Sequence, residues 1–261
     1  MRSLEPPKWV TNVLLVLFGL AVAFGGYQVV SQDRSAHVSG SGLVSPTLPA
    51  ASATPASGKH PLTAVFFGDS LVAGANAGQG NPTFADVAAK DLGWTQSPFG
   101  FPGSGFTTAG TFTGGRDYAA RLEQLRGYTS DVIVIEGGLN DTKAPPALLK
   151  EKVTADFQEA HALVPGALLV LMGPWSSSGT PQPADASVND ALLSLANQLR
   201  IPYVDPIHEH WMTGTYPTSG SAATLISSDG FYPNAAGHAY FGHRLAADLR
   251  RLLPAALIAA A

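Results

Sequence analysis

From Leu62 onward, short apolar runs alternate with amphipathic stretches, and this alternation restricts the fold more than any other feature of the chain. "LTAVFFGDS" (62–70), "DVIVIEGG" (131–138), "GALLVLMGP" (166–174) and "PYVD" (202–205) read as strands. Continuous apolar runs that stop at a turn are what strands buried on both faces look like. Between and after them, "NPTFADVAAKDLG" (81–93), "GRDYAARLEQLRG" (115–127), "PPALLKEKVTADFQEAHALV" (145–164), "ADASVNDALLSLANQLR" (184–200) and "PNAAGHAYFGHRLAADLRRLL" (233–253) read as helices. In the first of these, Asn81 is the expected cap, Pro82 the first helical residue and Gly93 the exit. Strand–helix alternation of this kind predicts an α/β fold of three layers, a parallel sheet with helices on both faces. Ligands of such a sheet bind at the carboxyl ends of its strands.

The first sixty residues belong to a different regime. "WVTNVLLVLFGLAVAFGGYQVV" (9–30) carries no charged residue and follows Arg2 and Lys8. Its length matches the ~20 residues a membrane-spanning helix needs. Residues 1–34 are therefore expected to form a membrane anchor spanning at 9–30, with a cleaved secretory signal as the alternative. The basic residues before the span favour a topology with the remainder outside the cytoplasm. Residues 35–60 are rich in Ser, Ala, Pro, Gly and Thr and hold too little apolar surface to fold, so they read as an extended tether or a glycosylated stalk. The folded domain is then 61–261, and the chain's 45% apolar content suffices for a buried core. A net charge of -4 leaves no basic footprint for nucleic acid, and no zinc-type Cys/His spacing or phosphate-cradling loop occurs. Nothing implies a metal or an organic cofactor. With no cysteine there is no disulfide frame, which fits a reducing or an oxidising compartment alike.

Chemistry is expected where strands end. The first strand stops at Gly68-Asp69-Ser70, which delivers a hydroxyl to the sheet edge, although Asp and Ser in this place also serve as helix caps. The strand "DVIVIE" ends in Gly137-Gly138-Leu139-Asn140-Asp141, and a side-chain amide there can donate to a developing oxyanion or close an Asx turn. Between them lies the glycine-rich "FGFPGSGFTTAG" (99–110), where small residues let a backbone N–H approach a ligand.

Taken together and in this order, these segments resemble the SGNH (GDSL-type) hydrolase family, whose fold is flavodoxin-like. The resemblance covers roughly Leu62 to Leu253 and rests on four blocks. "FFGDSLVAG" is similar to the nucleophile block and implies Ser70 as nucleophile, with its own N–H as one oxyanion donor. "GSGFTT" is similar to the second block and implies the Gly105 amide as a second donor, or Gly103 in another register. "GGLND" resembles the third block and implies Asn140 as the side-chain donor. "DGFYPNAAGH" (229–238) resembles the last block, in which the family carries Asp-x-x-His followed by Pro. Asp229 is in place, but Tyr232 stands where the family has its catalytic histidine.

A serine nucleophile needs a base whose pKa lies near working pH. Histidine, near ~6.5, meets this condition, and tyrosine, near ~10, does not. A carboxylate beside the phenol would push it higher still. The expected pairing is therefore a Tyr232 hydroxyl donating to Asp229. Three readings follow. Another histidine takes over as base, with His238, His208 and His210 as candidates; or Ser70, Gly105 and Asn140 retain slow acyl chemistry; or the domain binds an acylated glycan, lipid or protein without turnover. The resemblance and the placement outside the cytoplasm together imply an ester hydrolase, or an acyltransferase using the same serine, acting on envelope glycans or lipids. The segments "WSSSGTPQPADAS" (175–187) and "MTGTYPTSGSAATLISS" (212–228) are expected to line the entrance.

Overall fold

The structure is a computed structural model and describes residues 61–110 and 114–258. The anchor expected at 1–34 and the tether at 35–60 lie outside the described residues. Among the described residues no helix is long and apolar enough to cross a membrane.

Five strands, β1 (Thr63–Gly68), β2 (Thr95–Gly100), β3 (Val132–Glu136), β4 (Leu168–Met172) and β5 (Tyr203–Val204), form one sheet in the order β2-β1-β3-β4-β5. Every pairing is parallel. The helices are α1 (Phe84–Leu92), α2 (Tyr118–Leu122), α3 (Pro146–Leu163), α4 (Pro183–Leu199), α5 (Ala222–Leu225) and α6 (Ala235–Leu252). Alternate strand residues face opposite sides of the sheet. Phe66, Val134 and Val170 pack with Phe84 and Leu92 of α1 and Phe241 and Leu245 of α6. Phe67, Ile135 and Leu171 pack with Leu122 of α2, Phe157 of α3 and Leu192 of α4. The expected three-layer, flavodoxin-like architecture is present. Its strand order reverses direction between β1 and β3, and such a switch point opens a crevice at the strands' carboxyl ends.

Three local features differ from expectation. Strand β2, "TQSPFG", was not anticipated, because it is polar and holds Pro98. Proline lacks the ladder N–H and is tolerated in strands chiefly at a sheet edge, and β2 is an edge that pairs only with β1. Helix α1 is capped by Thr83 rather than Asn81: the Asp86 amide donates to the Thr83 hydroxyl and the Thr83 amide donates to the Asp86 carboxylate. This reciprocal box satisfies two end donors at once, which leaves Pro82 outside the helix. Gly93 does close α1, at φ 69°. Helix α2 is shorter than its sequence pattern and tightens into a 3-10 turn at Glu123–Leu125.

Candidate active site

Ser70 follows β1 and Asn140 follows β3, so the two sit on either side of the switch point. After β1 the chain folds into consecutive tight turns, with the Ala73 amide donating to the Asp69 carbonyl and the Ala75 amide to the Ser70 carbonyl. The Asp69 side chain stabilises the first turn by accepting from the Leu71 amide at 2.9 Å. Its Oδ1 is also the acceptor of the Ser70 hydroxyl, at 3.4 Å. Asn140 lies in a single 3-10 turn, Leu139–Asp141. Its Nδ2 donates to Asp69 Oδ2 at 2.8 Å and to the Ser104 carbonyl at 2.9 Å. One asparagine amide thus binds the serine turn and the glycine-rich loop together, and the three segments converge as expected.

The arrangement of donors differs in detail from the expected one. The Gly105 amide donates to the Thr108 carbonyl at 2.8 Å, so the loop itself engages it. Glycine at 105 has a steric reason: a Cβ there would lie 2.6 Å from both Asp141 carboxylate oxygens. That carboxylate accepts from the Phe106 and Thr107 amides and from the Thr107 hydroxyl, and so fixes the loop to the end of β3. Both N–H bonds of the Asn140 amide are also held by protein acceptors. Among the described residues, the backbone amides of Ser70 and Gly103 donate no hydrogen bond.

Beneath Ser70 lies a buried charged cluster. Glu136, at the end of β3, is fully buried, and its Oε2 accepts from the Asp69 amide at 3.3 Å. Burial first, and then the neighbouring Asp69 charge, push the Glu136 carboxyl well above the usual carboxylate range. Burial likewise raises Asp69, to about 6, against the opposing bonds from Leu71, Glu136 and Ser70. Arg121, buried on α2, donates to the Gly68 carbonyl and the Ser104 hydroxyl and lies 4.5 Å over the Phe67 ring. Sequence reasoning missed Glu136 and Arg121. The only signal was a lone acid ending a β-branched strand, and an arginine in an amphipathic helix looks like a surface residue.

Asp229 and Tyr232 do not form the expected pair. Asp229 Oδ1 accepts from the Ser227 hydroxyl and from the Phe231 and Tyr232 amides, and Oδ2 accepts from Asn76 Nδ2 at 2.6 Å. Burial alone would raise this carboxyl, but those bonds outweigh it and hold it below the usual range. The Tyr232 hydroxyl makes no hydrogen bond among the described residues. Its ring packs 4.9 Å from Phe231 and 6.3 Å from Trp175, centroid to centroid. Backbone amides close the short Asp229–Tyr232 turn, and that is why the carboxylate turns to them rather than to the phenol.

The alternative histidines do not reach the serine. His238 is fully buried; its Nε2–H donates to the Ala75 carbonyl at 2.8 Å and its Nδ1 accepts from the Phe84 amide at 3.3 Å. Both nitrogens are engaged, and burial lowers its pKa, so it is a neutral packing residue between α6 and α1. His208 pairs with Asp205 at 2.8 Å and lies 3.3 Å from Asp190, and the Asp205 bond raises its pKa. It follows β5, three strand spacings from β1, or roughly 14 Å across the sheet. His210 is exposed on the same loop.

A cavity of about 150 Å³ is lined by Leu139 after β3, by Trp175, Ser176, Ser178 and Asp185 after β4, and by Phe231. Leu139 adjoins Asn140 and Phe231 adjoins Tyr232, so the cavity lies between the third and fourth blocks. Part of the expected 175–187 entrance segment is its wall.

Residues 66–240 match the sequence pattern of the GDSL-like Lipase/Acylhydrolase family, which covers more than half of the chain. The protein belongs to that family. The four sequence blocks all fall within the matched residues. It is 32% identical over 174 residues to GDSL lipase Rv0518 of Mycobacterium tuberculosis; the match takes in 65% of this chain and 66% of that protein, just under two thirds of its length. The GDSL-family fold is shared with a lipase/acylhydrolase from Enterococcus faecalis (18% identity, 74% of this chain and 98% of that one, TM-score 0.53). It is also shared with a family two carbohydrate esterase from Clostridium thermocellum, solved in complex with cellohexaose (18% identity, 74% of this chain and 65% of that one, TM-score 0.53).

Proposed function

We propose that this protein hydrolyses acyl esters of carbohydrates through Ser70, slowly, because position 232 lacks the imidazole its family uses. The observation that carries the reading is the Asn140 amide, which bonds Asp69 of the serine turn and Ser104 of the glycine-rich loop and so brings the two segments together. Donors fixed before reaction, at the place where carbonyl charge develops, stabilise an acyl-transfer transition state. Even without one triad member, ~10³–10⁴-fold acceleration over water can persist from such donors and from binding.

The cavity supports a substrate class. At about 150 Å³ it falls below the ~300–1,000 Å³ usual for larger organic ligands, and suits a short acyl group or a single sugar unit. Its Trp175 and Phe231 rings offer flat apolar faces, and Ser176, Ser178, Thr180 and Asp185 offer polar partners, the combination a pyranose presents in reverse. The uncharged stretch at 9–30 supports a location outside the cytoplasm at a membrane, where envelope glycans or lipids are the available esters. An alcohol in place of water as acceptor would make the same serine an acyltransferase.

Labelling with a serine-reactive fluorophosphonate tests the assignment: the unmodified protein is expected to label and Ser70→Ala to lose at least nine-tenths of the signal, roughly. Equal labelling of both would remove Ser70 from the mechanism. No labelling together with retained binding of an acetylated oligosaccharide would favour the second reading, a binding protein without turnover, which the absence of an imidazole at 232 supports. For the cavity, Phe231→Ala is expected to raise KM for an acetylated sugar roughly 3- to 10-fold with a smaller effect on kcat, since an aromatic contact contributes ~0.5–1.5 kcal/mol beyond its area. An unchanged KM in steady-state assays would exclude Phe231 from substrate contact.

A further inference from the structure

We propose that Asp69 is the general base for Ser70 in this protein, occupying the role of the missing imidazole. The proposal rests on the reading of Ser70 as a nucleophile. Among the described residues, the acceptor of the Ser70 hydroxyl is Asp69 Oδ1, at 3.4 Å. The contact is long, as catalytic hydrogen bonds often are before substrate binds. Among the described residues no other base bonds the Ser70 hydroxyl: His238 has both nitrogens engaged in the core, and His208 and His210 follow the far strand. Asp229 is held by Ser227, Asn76 and two amides of its own turn.

The surroundings prepare Asp69 for this role. Asn140 fixes Oδ2 and the Leu71 amide fixes Oδ1, so the carboxylate is held in one orientation. The titratable and charged groups facing it are Glu136 from β3, Asp141 from the turn after β3, and Tyr118 and Arg121 from α2. Burial disfavours charge on Glu136, and Gly68 makes room for it, since a Cβ there would lie 2.6 Å from Glu136 Oε2. Burial, assisted by the Asp141 charge, makes Asp69 more basic than an exposed aspartate, and its value of about 6 is close to the ~6.5 of histidine.

The step balances as follows. Ser70 Oγ forms a bond to the acyl carbon while its proton passes to Asp69 Oδ1, and the carbonyl π pair moves onto oxygen. The pair returns, the bond to the alkoxy group breaks, and the leaving oxygen takes the proton from Asp69. Water then attacks the acyl-serine, giving a proton to Asp69, which returns it to Ser70 Oγ as the acid departs. Ester and water become acid and alcohol.

The experiment compares Asp69→Asn in two backgrounds, unmodified and Tyr232→His, by hydrolysis of p-nitrophenyl acetate. In the unmodified background kcat/KM is expected to fall roughly 10²-fold, the usual worth of a positioned base. In the Tyr232→His background the loss is expected to be under about 10-fold, because the imidazole accepts the proton; this non-additivity marks a shared role. Equal losses in the two backgrounds would show that Asp69 only shapes the turn and would overturn the proposal. A second measurement needs no variant. A carboxylate base is active when ionised, so kcat/KM is expected to be level above about pH 6 and to fall as pH drops through it. A rate unchanged well below that pH would also overturn the proposal. If Tyr232→His is inactive and fluorophosphonate does not label Ser70, the hydrolase reading itself fails and takes this proposal with it.

Discussion

Tyr232→His is expected to raise kcat on a short acyl ester by roughly 10²- to 10⁴-fold, the range a well-placed acid–base group supplies. The turn from Asp229 to Tyr232 already has the form such a histidine requires. Asp229 is ionised and held by the Ser227 hydroxyl and two backbone amides, so it would not have to move. Among the described residues its Oδ2 accepts only from Asn76, which leaves lone-pair capacity for an imidazole N–H. A histidine oriented in this way presents its other nitrogen as a base with a pKa near ~6.5, whereas the phenol it replaces donates well and accepts poorly. The ring at 232 is only half-buried beside Trp175 and Phe231, so the smaller imidazole fits without a clash. Catalysis through Asp69 would continue in parallel, and the gain measures how much better an imidazole serves both proton transfers. Steady-state kinetics on the purified variant checks this. A change of less than about threefold would mean that position 232 does not face the reacting atoms.

The second large effect concerns the link between two blocks. Gly105→Ala is expected to destabilise the domain by roughly 1–3 kcal/mol, as overpacking of a tight buried site does. For a domain of this size that corresponds to a fall in Tm of about 2–4 °C per kcal/mol. The new methyl group would meet both oxygens of Asp141, which is itself buried and holds the Phe106 and Thr107 amides. Neither side can yield cheaply, because moving the carboxylate leaves those donors unsatisfied and moving the loop breaks the bond from Asn140 to Ser104. Esterase activity is therefore expected to fall together with Tm. Calorimetry and an ester assay on the same sample check both, and an unchanged melting curve would show that Asp141 is not the anchor of this loop.

Much of the fold was legible from local pattern. The buried strands announced themselves as apolar runs, and α4 and α6 as amphipathic stretches, because burial on two faces or on one imposes its own spacing on a sequence. Strand β2 was not legible: a polar stretch holding Pro98 becomes a strand only because β1 offers it an edge. Ser70 and Asn140 were readable as chemistry at strand ends. The Tyr232 hydroxyl, expected on Asp229, was not, since the carboxylate is taken by amides within its own turn.

What the sequence by itself determined was the layered α/β architecture and the serine and asparagine at strand ends. These are properties of residues within a few positions of one another. Only the tertiary structure decided that His238 is a packing residue, that Gly105 is needed for space rather than for its amide, and that Glu136 is buried against the Asp69 amide. Each depends on a partner far along the chain, as with the bond from Asn140 to Asp69 across 71 positions or from His238 to Ala75 across 163. A hydrogen bond or a desolvated carboxyl is set by whatever packing brings beside it, and no local pattern specifies that neighbour.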